Sequence, residues 1–257
     1  MQSGFLLVDK PVDWTSHDVV GYIRSFIRKL GLSVIHKLKV GHAGTLDPFA
    51  TGLLIVGIGR EATKRIDEFK NMPKEYVATI RLGAVSDTYD RTGTIQESKK
   101  ARKQISETDV RTVLKNFVGK QQQVPPMYSA KKVGGKKLYE LARKGIEIER
   151  EPSEIEIFDI ELITPPLLGE AGRGSSQTEK LSSDHEPPPT PSTRERAFTI
   201  RVSCSTGTYI RTLAHDIGQK LRTGAYCEEL RRTKIGEYRV EDAIQPEDIT
   251  RAMVCSL

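Results

Sequence analysis

A glycine-rich stretch that runs into an apolar segment constrains the fold of this chain more than any other feature. Residues 41–54 place Asp47 among three glycines and directly before Pro48. Glycine permits a left-handed backbone and the proline disfavours helix at Asp47, so the sequence predicts a stiff loop that presents one carboxylate. The apolar run at residues 53–59 predicts a buried strand that anchors this loop to the core. The alternative is a surface turn in which Asp47 only caps local amides.

The composition predicts a globular protein without a membrane span or a secretory leader. The 257 residues are 37% apolar and 29% charged, which suffices for one large core. The longest apolar runs are far shorter than the ~20 residues that cross a bilayer, and no basic region followed by a hydrophobic segment opens the chain, so we expect a cytoplasmic protein. Three cysteines and five scattered histidines form no zinc pattern, so we expect reduced thiols, no metal and no cofactor.

The charge pattern predicts a polyanionic partner. The formal net charge is +6 and the sequence pI is about 9.1, and basic residues cluster around a Gly-Gly turn and near the end of the chain. The candidates for contact with a nucleic acid backbone are Lys131, Lys132, Lys136, Arg231 and Arg232. A further basic run at residues 99–103 is interpreted as a solvated loop.

The periodicities predict an α+β fold. Apolar residues recur at helical spacing from Ser16, a candidate N-cap, to Leu30, and again after residue 210. Alternating residues predict strands at 76–82, 154–163 and 198–204, the second with a bulge. Helices and strands follow no strict βαβ rhythm, so we expect a mixed, largely antiparallel sheet with flanking helices. Residues 165–195 are rich in proline, glycine and serine, which predicts a flexible insertion.

Several segments together resemble one enzyme family. Residues 41–54 resemble the catalytic motif of the TruB-type tRNA pseudouridine synthases, and further family motifs follow in family order. These are Lys74-Glu75-Tyr76, Val-Pro-Pro-Met-Tyr-Ser-Ala-Lys-Lys at 124–132, Cys-Ser-Thr-Gly-Thr-Tyr-Ile-Arg-Thr-Leu-Ala at 204–214, and Leu230-Arg231-Arg232. A single short motif is weak evidence, whereas four in the family's order are specific. The resemblance implies the pseudouridine synthase fold, with a cleft across a central mixed sheet.

The resemblance implies that Asp47 is the nucleophile of a uridine-to-pseudouridine isomerisation, in which it attacks C1′, adds at the base or assists elimination to a glycal. Arg211, at the start of a predicted helix, would pair with Asp47 in a forked geometry. We expect this pairing to lower the pKa of Asp47 and keep it ionised in the cleft. The alternative for Arg211 is an ordinary surface arginine.

Four more residues complete the site that the resemblance implies. Tyr76 would stack on an everted uracil and is the candidate for removing the proton from C5, and Tyr209 would form the opposing aromatic wall. Leu230 would close the pocket by apolar contact. His42 would contact the RNA or replace its displaced tertiary contacts. Each of these residues could instead be an ordinary packing or surface residue.

Two other catalytic interpretations fit the residues less well. Asp87 and Asp90 are consistent with a two-carboxylate glycosidase, but Gly93 nearby makes a capped turn the simpler account. A phosphate-binding loop requires Gly-Lys-Ser/Thr after the glycines, and this chain has no such sequence there.

The resemblance also predicts the domains and the partner. We expect a catalytic domain at residues 1–240 with the insertion at about 165–195, and a short tail at residues 241–257 without an appended RNA-binding domain. The implied substrate is tRNA, at the uridine in position 55 of the T-loop, bound by a monomer that needs no guide RNA. The alternative is an RNA-binding or tRNA-folding module whose catalysis is incidental or lost.

Overall fold

The computed structural model describes residues 3–31, 38–98, 105–129, 131–164 and 197–256. Within these ranges the chain forms thirteen strands, seven α-helices and two short 3-10 turns. The insertion expected at residues 165–195 and the basic run at residues 99–103 lie outside the described residues.

The elements follow one another without a regular alternation. The strands are β1 (Gly4–Lys10), β2 (Val40–Ala43), β3 (Thr51–Ile58), β4 (Lys74–Leu82), β5 (Ala84–Ser86), β6 (Ile95–Glu97), β7 (Gly119–Gln123), β8 (Lys132–Val133), β9 (Lys136–Lys137), β10 (Ser153–Thr164), β11 (Ala197–Cys204), β12 (Ala225–Ile235) and β13 (Tyr238–Arg239). The helices are α1 (Ser16–Lys29), α2 (Arg60–Lys64), α3 (Ile66–Lys70), α4 (Glu107–Lys115), α5 (Leu138–Ala142), α6 (Ile210–Lys220) and α7 (Arg251–Ser256).

Nine of the described strands form one mixed sheet in the order β1-β3-β12-β4-β11-β10-β7, with β2 paired to β3 and β13 paired to β12. β3 and β12 run parallel, and the other described pairs in this sheet are antiparallel. The predicted α+β fold with a mixed, largely antiparallel sheet is therefore confirmed. The pairs β5–β6 and β8–β9 form separate hairpins.

Helices cover the sheet on both halves. On one half, α6 packs on β12 and β4 through buried residues such as Leu213 and Ile217. On the other, α1 packs with β1 and β3 around Val8 and Leu54. Ile249 and Val254 belong to this second cluster, so the residues expected to form a tail are packed against α1.

The start of α1 differs by one residue from the prediction. The N-cap is Thr15, whose Oγ1 accepts a hydrogen bond from the Asp18 amide at 3.0 Å. In return, the Asp18 carboxylate accepts a hydrogen bond from the Thr15 amide. Ser16 was the wrong choice because its hydroxyl is buried and serves another segment: it accepts from the Leu46 amide at 2.8 Å. The first turn of α1 thereby holds the loop that contains Asp47.

The predicted strands are confirmed with small changes of boundary. β4, β10 and β11 lie where the alternation places them and pair side by side. The predicted bulge in β10 is present as a register shift between Ile157 and Asp159. Of these three strands, β4 contributes Lys74 and Tyr76 to the lining of a cleft at the start of α6.

Candidate active site

Asp47 lies on the loop that joins β2 to β3, residues 44–50, here called the Asp47 loop. The backbone carbonyl of Asp47 accepts from the Ala50 amide at 3.1 Å, which closes a turn around Pro48. Gly44 has a φ of 86°, a conformation that glycine adopts without strain. The loop is thus a turn between paired strands, as the sequence predicts, and Leu46, Phe49 and Ala50 anchor it in the core.

A buried lysine, Lys10, links the Asp47 loop to residues 11–14. The Lys10 ammonium is fully buried and donates to the carbonyls of Trp14 at 2.5 Å, Pro11 at 2.8 Å and Pro48 at 3.3 Å. Burial lowers the pKa of Lys10 to about 8, while the charge of Asp47 opposes the shift. Such a network of satisfied buried groups makes the loop a rigid support for its carboxylate.

Arg211 and Asp47 form a forked ion pair. The Nε of Arg211 lies 2.8 Å from Oδ2 of Asp47, and its Nη2 donates to Oδ1 at 3.3 Å. The Arg211 side chain is 4% exposed and that of Asp47 is 36% exposed. The carboxylate is therefore held on one side by the guanidinium and open on the other to the cleft.

The remaining donors of Arg211 reach a second carboxylate and two carbonyls. Nη1 donates to the Thr88 carbonyl at 2.9 Å and to Oδ2 of Asp90 at 3.2 Å, and Nη2 donates to the Tyr128 carbonyl at 2.8 Å. With five contacts to fixed partners, the guanidinium has little freedom to turn away from Asp47.

The sequence interpretation missed the role of Asp90. Asp87 does what a turn residue does, accepting from the Thr94 amide at 2.8 Å. Asp90 uses Oδ1 in the same way, for the Thr92 amide at 2.9 Å, but its Oδ2 pairs with Arg211. No local pattern could reveal a partner 121 residues away in the chain.

The pKa of Asp47 is shifted in the opposite direction to the one expected. Burial raises the pKa of Asp47 above its ordinary value, Arg211 opposes this rise, and the charge of Asp90 adds to it. The expectation of a lowered pKa was wrong because the cost of removing the charged carboxylate from water exceeds the attraction of the guanidinium.

The cleft in front of Asp47 has a volume of about 300 Å³. Tyr76, Tyr209 and Leu230 line it together with Asp47 and Arg211, so the structure brings five of the predicted site residues to one place. Burial raises the pKa of Tyr76, and the phenol is therefore protonated at neutral pH. This protonation state favours a stacking and hydrogen-bonding role for Tyr76 over that of a base.

Tyr209 is fixed through its backbone by a residue that the sequence analysis did not single out. The side chain of Gln123 on β7 is buried and makes two bonds to Tyr209: its Nε2 donates to the carbonyl at 3.0 Å, and its Oε1 accepts from the amide at 2.8 Å. This clamp holds the N-cap of α6, two residues before Arg211.

His42 does not line the Asp47 cleft. It lies on β2 and faces a separate cavity of about 420 Å³. Lys70 lines both this cavity and the Asp47 cleft. Burial lowers the pKa of His42 to about 4, and its buried Nδ1 has no hydrogen-bond partner among the described residues. His42 is therefore neutral at physiological pH and is separated from the carboxylate.

The basic candidates divide into two groups. Lys132 and Lys136 are exposed on the β8–β9 hairpin, and the Nζ of Lys131 donates to the Ser153 hydroxyl at 2.5 Å. Arg231 is 42% exposed and forms a forked pair with Asp9, at 3.0 and 2.7 Å. Lys132, Lys136 and Arg231 thus present charge at the surface, whereas Lys131 is partly buried.

Arg232 was wrongly assigned to the RNA surface. It is 1% exposed, and it donates to the carbonyls of Leu53 at 2.8 Å and Gly44 at 3.0 Å. Alternation along β12 explains the difference, because neighbouring residues in a strand point to opposite faces. Arg231 lies on the open face and Arg232 faces the protein interior, as Leu230 does.

The described ranges hold no group of three or more histidine, cysteine, aspartate or glutamate side chains arranged to bind a metal ion. The groups that line the cleft include the Asp47 carboxylate with the Arg211 guanidinium, two phenols and the apolar side chain of Leu230. Further polar groups in the lining come from Lys70, Lys74, Ser129, Ser205, Thr206, Thr208 and Arg232.

Comparisons with known proteins identify a family. The model of the TruB family pseudouridylate synthase N-terminal domain matches residues 32–167, and that of the tRNA pseudouridylate synthase B C-terminal domain matches residues 211–256. The tRNA pseudouridine synthase B of Bacteroides thetaiotaomicron is 45% identical over 243 residues, which cover 94% of this chain and 89% of that protein. The protein of the same name from Desulfotalea psychrophila is 46% identical over 251 residues, covering 96% and 87%.

Solved structures share the fold. A chain in the crystal structure of a Cbf5-Nop10-Gar1 complex superposes with a TM-score of 0.61 at 26% identity over 94% of this chain. A chain in the structure of an H/ACA RNP bound to a substrate RNA containing 2'-deoxyuridine gives a TM-score of 0.58 at 25% identity over 95%. The present chain spans about half the length of each of these two chains.

Proposed function

The chain belongs to the TruB family of pseudouridylate synthases, and we propose that it isomerises uridine to pseudouridine in tRNA. The observation that carries this proposal is the forked pair of Asp47 and Arg211 at the floor of a cleft between two tyrosines. An RNA-binding module without catalysis is the weaker alternative, since such a module has no use for a constrained carboxylate that is open to a pocket.

The reaction rearranges one nucleoside without a net change of atoms. The N1–C1′ bond breaks, the uracil turns within the cleft, a C5–C1′ bond forms, N1 gains a proton and C5 loses one. This rearrangement requires no oxidant, reductant or group carrier. Asp47 supplies the carboxylate, which attacks C1′, adds at the base or assists elimination to a glycal; in each case the carboxylate is free again once the C5–C1′ bond has formed. A dry pocket retains the freed uracil until then.

The environment of Asp47 suits a nucleophile that works as an anion. Its open side faces the cleft, and the opposite side is bound by Arg211, whose other contacts keep it in place. A fixed cation beside the carboxylate stabilises the ionised form without reorganisation during the reaction. Burial raises the pKa of Asp47, so we expect activity to fall as the pH drops through this pKa.

The walls of the cleft suit a flat base that has left its stack. An everted uracil stacks between the rings of Tyr76 and Tyr209, and Leu230 closes the pocket by apolar contact. The volume of about 300 Å³ suits one nucleoside.

For the substrate we propose the T-arm of tRNA, with the target at uridine 55, as the motif resemblance implies. The Lys132 and Lys136 side chains on the β8–β9 hairpin, with Lys131 and Arg231, would contact phosphates, while shape selects the loop. We further propose that the protein acts as a cytoplasmic monomer without guide RNA. None of the helices in the described ranges combines the length and apolar character that crossing a membrane requires.

Tritium release from C5-labelled uridine tests the proposal. A T-arm stem-loop labelled at position 55 should release tritium when the wild-type protein is added, and a stem-loop that carries its label at another loop uridine should not. Binding of both RNAs without release from either would favour the binding module. Release from the second RNA alone would place the target elsewhere.

A further inference from the structure

Arg232 lies in the sheet between the strand that follows the Asp47 loop and the strand that carries Tyr76. It pairs with Gly52 of β3 on one side and with Tyr76 of β4 on the other. The approach to Gly52 is so close that a Cβ there would lie 2.3 Å from the Arg232 carbonyl oxygen. Directly paired residues of neighbouring strands place their side chains on the same face, so the guanidinium and the Tyr76 ring share the cleft floor.

The guanidinium of Arg232 joins the first residue of the Asp47 loop to β3, the strand that follows the loop. Its Nε bonds the Leu53 carbonyl and its Nη2 the Gly44 carbonyl, at 2.8 and 3.0 Å. These two residues lie on either side of Asp47 in the sequence, so one planar group fixes the distance between the start of the loop and the strand that follows it. A lysine at this position would keep the charge but has a single nitrogen on a flexible stem, and it could not reproduce the forked geometry.

The Arg232 charge is buried and has no counter-ion among the residues that the structure describes. The side chain is excluded from solvent, and none of the ion pairs found within the described ranges includes it. Burial raises the pKa of Tyr76, and the charge of Arg232 opposes that rise. Burial lowers the pKa of His42, and the charge of Arg232 lowers it further. The influence of this cation thus reaches both the cleft and the cavity beside it.

We propose that Arg232 is a positioning residue for the isomerisation, which holds the Asp47 loop and Tyr76 in one fixed relation. It acts through these two groups by its forked contacts to Gly44 and Leu53 and by its place beside Tyr76. The inference rests on the proposed function, because it assigns a role in that reaction.

The test compares Arg232→Lys and Arg232→Met with the wild type. The rate of tritium release at saturating T-arm RNA is measured in a single turnover, and the Kd for the same RNA is measured separately. A displacement of about 1 Å in a reacting group can cost a rate factor on the order of 100. We expect the rate to fall about 100-fold in Arg232→Met and about 10-fold in Arg232→Lys, with Kd changed less than about threefold.

Arg81→Met is the matched control. Arg81 lies on β4 and pairs with Glu228 of β12, so its loss also removes an arginine that joins these two strands, but at the far end from the cleft. We expect a lower Tm for this variant with a rate within about twofold of the wild type. The rate loss in the Arg232 variants would then be separated from a general loss of stability.

A double-mutant cycle with Tyr76→Phe supplies a readout that a merely structural role would not move. Because Arg232 acts through Tyr76, we expect the double variant to lose less than the product of the single losses. Rates within about threefold of wild type in both Arg232 variants, or rate and Kd changing by one common factor, would overturn the inference. If Arg232→Met does not fold, Arg232→Lys alone decides. A wild type that releases no tritium would instead overturn the proposed function itself.

Discussion

The Asp47 cleft and the β8–β9 hairpin hold their charged side chains in opposite ways. At the cleft, Arg211 pairs with Asp47 and also with the buried Asp90, in both cases across more than a hundred residues of sequence. On the hairpin, Lys132 and Lys136 stand exposed on two-residue strands. A rigid, desolvated constellation suits a bond-breaking step, and exposed cations suit phosphates in many orientations. We infer that the two regions divide catalysis from binding.

The largest effect should come from breaking the cleft at Arg211. Arg211→Met leaves the carboxylates of Asp47 and Asp90 without the cation that they share, and we expect the rate of tritium release to fall about 10³-fold or more. Arg211 lowers the pKa of Asp47 against the effect of burial, so the acid limb of the residual activity should move to higher pH. Rate measurements across a pH series check both points.

Arg211→Lys is the control for this prediction, because it keeps the charge and loses the fork. We expect a rate between those of the wild type and Arg211→Met. A rate for Arg211→Met close to the wild type would show that the ion pair is not needed for the chemistry.

A smaller effect should follow from Asp90→Asn. In this variant the side-chain amide oxygen still accepts the hydrogen bonds of the turn. The substitution removes the negative charge that pairs with Nη1 of Arg211. We expect a rate loss of about 10- to 100-fold, since Arg211 is less firmly oriented. The Asp90 charge raises the pKa of Asp47, so the acid limb should move to lower pH, opposite to Arg211→Met. Equal directions of shift in the two variants would contradict this electrostatic account.

Substitutions in the β8–β9 hairpin should weaken RNA binding without changing the rate of the reaction. In the double variant Lys132→Ala/Lys136→Ala we expect the Kd for T-arm RNA to rise about tenfold and the salt slope of log Kd to fall by about 1.5, for two lost phosphate contacts. The rate at saturating RNA should stay within about twofold. Lys115→Ala, an exposed lysine on α4, is the control and should leave Kd unchanged. An unchanged salt slope would remove the hairpin from the RNA interface.

The smallest effect concerns His42. With a pKa of about 4, it carries no charge across the range in which an ordinary histidine titrates, about pH 5.5 to 7.5. RNA affinity should therefore vary with pH to the same extent in wild type and in His42→Gln, measured by fluorescence anisotropy. A pH dependence that disappears in His42→Gln would show that His42 is charged in the complex.

The sequence predicted the parts of the site that local chemistry determines. The glycines and Pro48 predicted the loop around Asp47, and the apolar run after it predicted β3. Alternation of apolar residues predicted β4, β10 and β11. The motif at residues 204–214, which runs into α6, predicted Arg211 as a site residue. The structure places its guanidinium against the Asp47 carboxylate.

The rest depended on contacts between distant segments. Asp90 looked like any turn aspartate, because its second partner belongs to α6. The raised pKa of Asp47 depends on burial that only the assembled cleft produces. Arg232 was different, since the alternation of β12 with Leu230 facing inward could have placed it inside. The density of basic residues around it favoured a surface interpretation instead.

The single most direct test of the account is Asp47→Asn, measured for both functions in one preparation. The change preserves the shape of the side chain and removes its charge. For Asp47→Asn we expect no tritium release above background from the T-arm stem-loop, with a Kd for this RNA within about threefold of the wild type. Release at the wild-type rate would contradict the central claim that the Asp47 carboxylate performs the chemistry.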